Sequence, residues 1–135
     1  MQKHNPMAHE KILIVEENPM NRELTEALLT IAGYRVIQAS TVEEGVKLAK
    51  SEVPDMILMN IGLSRTEGFE AVKFLRKDEP TKHIPVIALT SHAMTRDEEE
   101  VLRNGCAGYI TKPINTRTFT GTIADYLSKT KGNQP

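Results

Sequence analysis

The stretch Asp55–Ser64, DMILMNIGLS, runs apolar from Met56 to Met59 and then stops on an amide, Asn60. Four apolar residues with no polar alternation fit a strand covered on both faces, as in a parallel sheet clothed by helices. Four other short runs have the same character: KILIV at 11–15, RVIQA at 35–39, PVIAL at 85–89 and AGYI at 107–110, with DMILM at 55–59 completing the set. The question raised by Asn60 is why a buried strand, where its chain surfaces, presents a group that is neither acid, base nor nucleophile.

Helical patterns separate these runs. The first opens on Asn18 as cap with Pro19 in the first turn, and its stripe Met20, Leu24, Leu28, Ile31 is expected to face the core before Gly33 ends it. The second starts at Ser40 or Thr41, with Glu43 or Glu44 at capping-box spacing and Val42, Val46 and Ala49 inward. A third is predicted over 68–77 with Val72 and Leu75 inward, and a fourth over 93–104, showing RDEEE to water and stopping at Gly105. The fifth begins near Asn115 with Phe119, Ile123, Tyr126 and Leu127 as its stripe. Five strand-then-helix units imply a doubly wound α/β sandwich with a parallel sheet and right-handed crossovers.

The chain has 135 residues, 39% of them hydrophobic, which is enough for one domain with a real core. Its domain is expected over 10–128, between a flexible N-terminal tail at 1–9 and a flexible C-terminal tail at 129–135. A net charge of −1 supplies no global field for nucleic acid or an anionic membrane. One cysteine, Cys106, allows no internal disulfide, and no early apolar run of signal-peptide type or membrane-spanning length occurs, so a cytoplasmic setting is expected.

Ligands of such sheets sit beyond the carboxyl ends of the strands. There the sequence places Glu16 and Glu17 after the first strand, Asn60 after the third, Thr90 and Ser91 after the fourth, and Lys112 after the fifth. Adjacent acids at a buried strand end need a compensating cation, a hard metal or a lysine, and Lys112 is the internal choice. Pro113 stiffens the turn that presents it, with a cis Lys112–Pro113 bond expected.

These residues resemble the receiver domain of bacterial response regulators, the phosphoryl-accepting module of two-component signalling. ILIVEENPMNREL, PDMILMNIGL, EGFEAVKFLR, HIPVIALTSHAM and NGCAGYITKPI follow the family's successive blocks, in the flavour of DivK-type single-domain regulators and hybrid-kinase receivers. The resemblance implies a flavodoxin-like sheet of five strands in the order 2-1-3-4-5. It also implies that Glu16 and Glu17 fall on the acidic pair that holds Mg²⁺, with the Gly62 carbonyl as a further ligand. Asn60 falls on the phosphoacceptor aspartate, Thr90 on the switch hydroxyl, Tyr109 on the switch aromatic and Lys112 on the phosphate-neutralising lysine.

The third loop departs from the family's pattern at Asn60, Ser64, Arg65 and Thr66, and Glu17 replaces an aspartate, pushing its carboxylate about 1.5 Å forward. Phosphoryl acceptance needs a charged oxygen nucleophile, which an amide lacks. The expectation is therefore a phosphorylation-incompetent interaction module, not an enzyme, with Mg²⁺ binding weakened and Asn60 as a neutral ligand. The alternative acceptors are Glu67, Ser64 and Thr66. The resemblance implies a histidine kinase or phosphotransferase as partner, docking on the face of the fourth helix, fifth strand and fifth helix, with the chain a monomer or weak dimer. Direct nucleic-acid binding is not expected, because the charge is near neutral and residues 129–135 carry no pattern of a helix-turn-helix. His4, His9, His83 and His92 show no metal spacing, and Cys106 reads as a small packed side chain. A flavodoxin-like cofactor carrier is disfavoured, because EENPMN sets two anions where a phosphate would sit.

Overall fold

The structure, a computed structural model, describes residues 10–61, 65–90 and 95–132. Strands β1 (Lys11–Val15), β2 (Arg35–Ala39), β3 (Met56–Asn60), β4 (Val86–Thr90) and β5 (Gly108–Thr111) alternate with helices α1 (Pro19–Ile31), α2 (Val42–Glu52), α3 (Arg65–Lys77), α4 (Thr95–Arg103) and α5 (Phe119–Gly132). The strands form one sheet in the order β2-β1-β3-β4-β5, and every pairing is parallel.

Alternation along each strand divides the apolar residues between two layers. Leu13, Val15, Ile57, Met59, Val86 and Ala88 pack with Ala49, Val72, Leu75 and Val101 on the side of α2, α3 and α4. Ile12, Ile14, Met56, Leu58, Ile87 and Leu89 pack with Leu29, Phe119, Ile123 and Leu127 on the side of α1 and α5. The two-sided burial read from DMILM is complete: Met56, Ile57, Leu58 and Met59 expose none of their surface.

Sequence and structure differ at several boundaries. β3, β4 and β5 each start and end one residue later than expected, so Asn60 and Thr90 are the last residues of their strands; pairing Asn60 with Leu89, and Thr90 with Thr111, carries the ladder that far. α3 starts at Arg65, one turn early, and α5 continues to Gly132, past the boundary expected at 128. α5 starts late because Asn115 first makes a turn, its carbonyl accepting from the Thr118 and Phe119 N–H groups and its side chain from Arg117 N–H. The expected start of α4 at residues 93 and 94 lies outside the described residues, as do His4, His9 and His92.

The larger correction concerns α1. Met20 and Ile31 are 79% and 85% exposed and Leu24 is 42% exposed, while Thr25 and Leu29 are buried. The N-terminal anchorage sets this rotation. Asn18 Oδ1 caps Asn21 N–H at 3.0 Å, and Arg22 Nη1 donates to the Glu16 carbonyl at 2.7 Å. With Arg22 turned to the sheet edge, Thr25 and Leu29, three and seven residues on, share its face. Thr25 is tolerated there because its hydroxyl donates to Asn21 O at 2.8 Å.

Candidate functional site

Three chain segments meet at the carboxyl edge of the sheet. Glu16 follows β1, where its N–H donates to Ala39 O, and it is only 3% exposed. Its Oε2 accepts from the Asn18 N–H at 3.0 Å and from Asn60 Nδ2 at 3.1 Å. Asn60 ends β3, and its Oδ1 accepts from Lys112 Nζ at 2.8 Å. The same ammonium lies 3.9 Å from Glu16 Oε1. Lys112 follows β5 and is held by its own N–H, which donates to Thr90 O at 2.7 Å, and by the cis Lys112–Pro113 bond that the sequence suggests.

The orientation of the Asn60 amide follows from its neighbours. A lysine only donates and an ionised carboxylate only accepts, so Oδ1 must face Lys112 and Nδ2 must face Glu16. Acid, amide and ammonium thus form a closed circuit in which the buried carboxylate has both a donor and a counter-charge. An amide so placed offers no nucleophile.

Glu17 is exposed beside this circuit. A cleft of about 170 Å³ opens there, lined by Val15, Glu16, Glu17, Thr41, Val42, Asn60 and Glu67. Thr41, the cap of α2, and Val42, its first residue, follow the end of β2, a strand end absent from the set of edge residues that the sequence singles out. Thr90 is buried, 1% exposed, at the end of β4, and Tyr109 is half-buried on β5. Thr66 is exposed on α3. Gly62, Ser64 and Ser91 lie outside the described residues.

Three carboxylates, Glu16, Glu17 and Glu67, border the cleft, and carboxylate oxygen is what a hard cation requires. Among the described residues, though, no three acidic, histidine or cysteine side chains converge as a ready-made metal cage. Asn60 meanwhile turns its oxygen to the lysine. The donor chemistry fits Mg²⁺, and the charge count is one below that of a site with an acid at residue 60.

A doubly wound sheet in this strand order, with acids and a lysine at its carboxyl edge, is receiver architecture, and the chain belongs to the response regulator receiver domain family, whose model it matches over residues 12–124. Within the family it is DivK-like: the polar-differentiation response regulator DivK of Brucella ovis is 43% identical over 116 residues, covering 86% of this chain and 94% of that protein. Among solved structures, the receiver domain of a sensor histidine kinase from Pseudomonas aeruginosa, with a magnesium ion coordinated in its active-site cleft, is similar at TM-score 0.79 and 32% identity, over 88% of this chain and 98% of that one. A CheY-like receiver domain protein from Methanospirillum hungatei reaches TM-score 0.82 at 27% identity, over 93% and 98%. The chain is thus a receiver of two-component signalling, a class of signalling module that works with histidine kinases and phosphotransferases. No helix among the described residues is long and apolar enough to cross a membrane.

Proposed function

We propose that this receiver, over residues 10–128, does not accept a phosphoryl group and signals as a non-enzymatic protein-interaction module in the cytoplasm. The observation that carries the reading is the Asn60 amide, donating to Glu16 at 3.1 Å and accepting from Lys112 at 2.8 Å, at the position that the resemblance equates with the family's phosphoacceptor. A phosphoryl group needs a charged oxygen to attack it and a cation to offset its charge. Here the residue is neutral, and the lysine is occupied by it. Glu16 and Glu17, with Asn60 as a neutral ligand and the Gly62 carbonyl, would hold Mg²⁺ weakly, since affinity for a hard cation follows the number of charged oxygens.

Without a phosphoryl switch, the balance between conformers is set by Thr90, Tyr109 and Lys112 and shifted by whichever partner binds one conformer better. The partner is a histidine kinase or phosphotransferase protein docking on α4, β5 and α5, and the chain is a monomer or weak dimer without direct nucleic-acid contact.

Incubation of the chain with acetyl phosphate and Mg²⁺, followed by intact-mass analysis, tests the reading. The expected result is no gain of mass. A hydroxylamine-labile gain of one phosphoryl group would sink it. A second reading keeps acceptance on another residue; Glu67 supports it by lining the same cleft, with Ser64 and Thr66 as the other choices. Peptide mapping of a phosphorylated product would place the group on one of these three.

A further inference from the structure

β5 is an edge strand of the sheet, and one main-chain position on it is answered from a helix. The Lys112 N–H donates to Thr90 O, back toward β4. By the alternation of a strand, the main chain of Tyr109, three residues earlier, faces the other way, toward the free edge. There it meets the phenol of Tyr126 on α5. Tyr126 Oη accepts from the Tyr109 N–H at 3.3 Å and donates to the Tyr109 carbonyl at 3.2 Å. One hydroxyl therefore meets both groups that a sixth strand would have met, which also blunts the edge.

The neighbouring residue is matched to this arrangement. A Cβ on Gly108 would stand 2.4–2.5 Å from the Tyr126 ring and hydroxyl, closer than any side chain tolerates. Only glycine leaves room for the ring at this point of β5. Lys129 Nζ stands 5.8 Å from the Tyr126 ring centroid, a contact made within α5.

We propose that Tyr126 is a latch that ties α5 to β5 through the main chain of Tyr109, so that a partner displacing α5 also displaces Tyr109 and, three residues on, Lys112 in the Asn60 circuit. Tyr126 is thus a positioning residue: it acts through β5, the strand that leads to Lys112, and so on the contact of Lys112 with Asn60 at the end of β3. The latch does not depend on whether residue 60 accepts a phosphoryl group.

Tyr126→Phe removes the hydroxyl and keeps the ring. Amide hydrogen exchange by NMR should show the Tyr109 N–H exchanging about tenfold faster, roughly what one main-chain hydrogen bond is worth. The amides of Ile87 and Leu89 in β4 should hold their rates, and the Tyr109 side-chain couplings should move toward rotamer averaging. Gly108→Ala keeps the hydroxyl but drives the ring away, and it should reproduce both changes. Unchanged exchange at Tyr109 in Tyr126→Phe would overturn the proposal. So would a uniform acceleration across all five strands, which would mean that the phenol only adds global stability.

Discussion

Lys112 makes two contacts at once, accepting the duty of counter-charge for Glu16 and donating to the Asn60 carbonyl oxygen. Its removal would leave a nearly buried carboxylate with amide and main-chain donors alone, and an amide oxygen with no donor. Since breaking a charge-assisted hydrogen bond strands both groups, Lys112→Ala should lower stability by about 1–3 kcal/mol, read from the urea midpoint at neutral pH. The convergence of Glu16, Asn60 and Lys112 was legible in the sequence, because strand ends in a doubly wound sheet share one edge whatever side chains they carry. The direction of the Asn60 amide was not. It depends on which neighbours donate and which accept, and only three-dimensional distances tell that. Thr41 is hidden for a simpler reason, since its sequence signal is that of a helix cap rather than of a strand end at the site.

At the level of elements, α1 shows why a helical stripe does not name its own inner face. Met20, Leu24, Leu28 and Ile31 keep helical spacing, and so do Thr25 and Leu29; with the cap at Asn18 and the Arg22 anchor in place, Leu28 still packs on the core beside the buried pair while Met20, Leu24 and Ile31 turn outward. Leu29→Ala should cost about 2–5 kcal/mol, as a fully buried leucine does, while Met20→Ser should fall within about 0.5 kcal/mol of the native chain. Equal losses for the two in urea titration would contradict this rotation. The end of α2 offers a test in the other direction. Val53, 47% exposed, takes φ 44° and ψ 65° to close the helix, its N–H donating to Ala49 O at 3.0 Å. A β-branched side chain is strained in that left-handed region, where glycine is at ease. Val53→Gly should therefore raise stability by about 1 kcal/mol, read as a higher urea midpoint. The latch between Tyr126 and Tyr109 was beyond sequence reading too. Tyr126 was placed on the inner stripe of its helix, but its hydroxyl meets a strand 17 residues away only because Gly108 has no side chain.

For the whole molecule, two buried groups make stability fall at alkaline pH. Burial pushes the Cys106 thiol from 9.0 up to about 12, with Arg76 pulling slightly the other way. Burial, with the Glu10 charge adding to it, pushes the Tyr34 phenol from 10.0 up to about 12. Between the unfolded and folded values the unfolded chain has lost protons that the folded chain keeps, so stability falls as pH rises. It should be insensitive to these groups below pH 9, decline from pH 9 as Cys106 ionises in the unfolded chain, and decline more steeply above pH 10 when Tyr34 joins. Urea midpoints across this range should show Cys106→Ala abolishing the first part of the decline and leaving the second.

At the sheet edge the Asn60 amide donates to Glu16 where a cation would otherwise stand beside two acids, and Mg²⁺-dependent melting of the native chain and Asn60→Asp tests that exchange. An aspartate would set a second carboxylate where the amide donates to Glu16, so without metal Asn60→Asp should be less stable by about 1–2 kcal/mol, roughly 4–8 °C in Tm. Millimolar Mg²⁺ should restore it and leave the native Tm nearly unmoved. A native chain that Mg²⁺ stabilises as much as the variant, or a variant that melts with the native chain in chelator, would contradict the account.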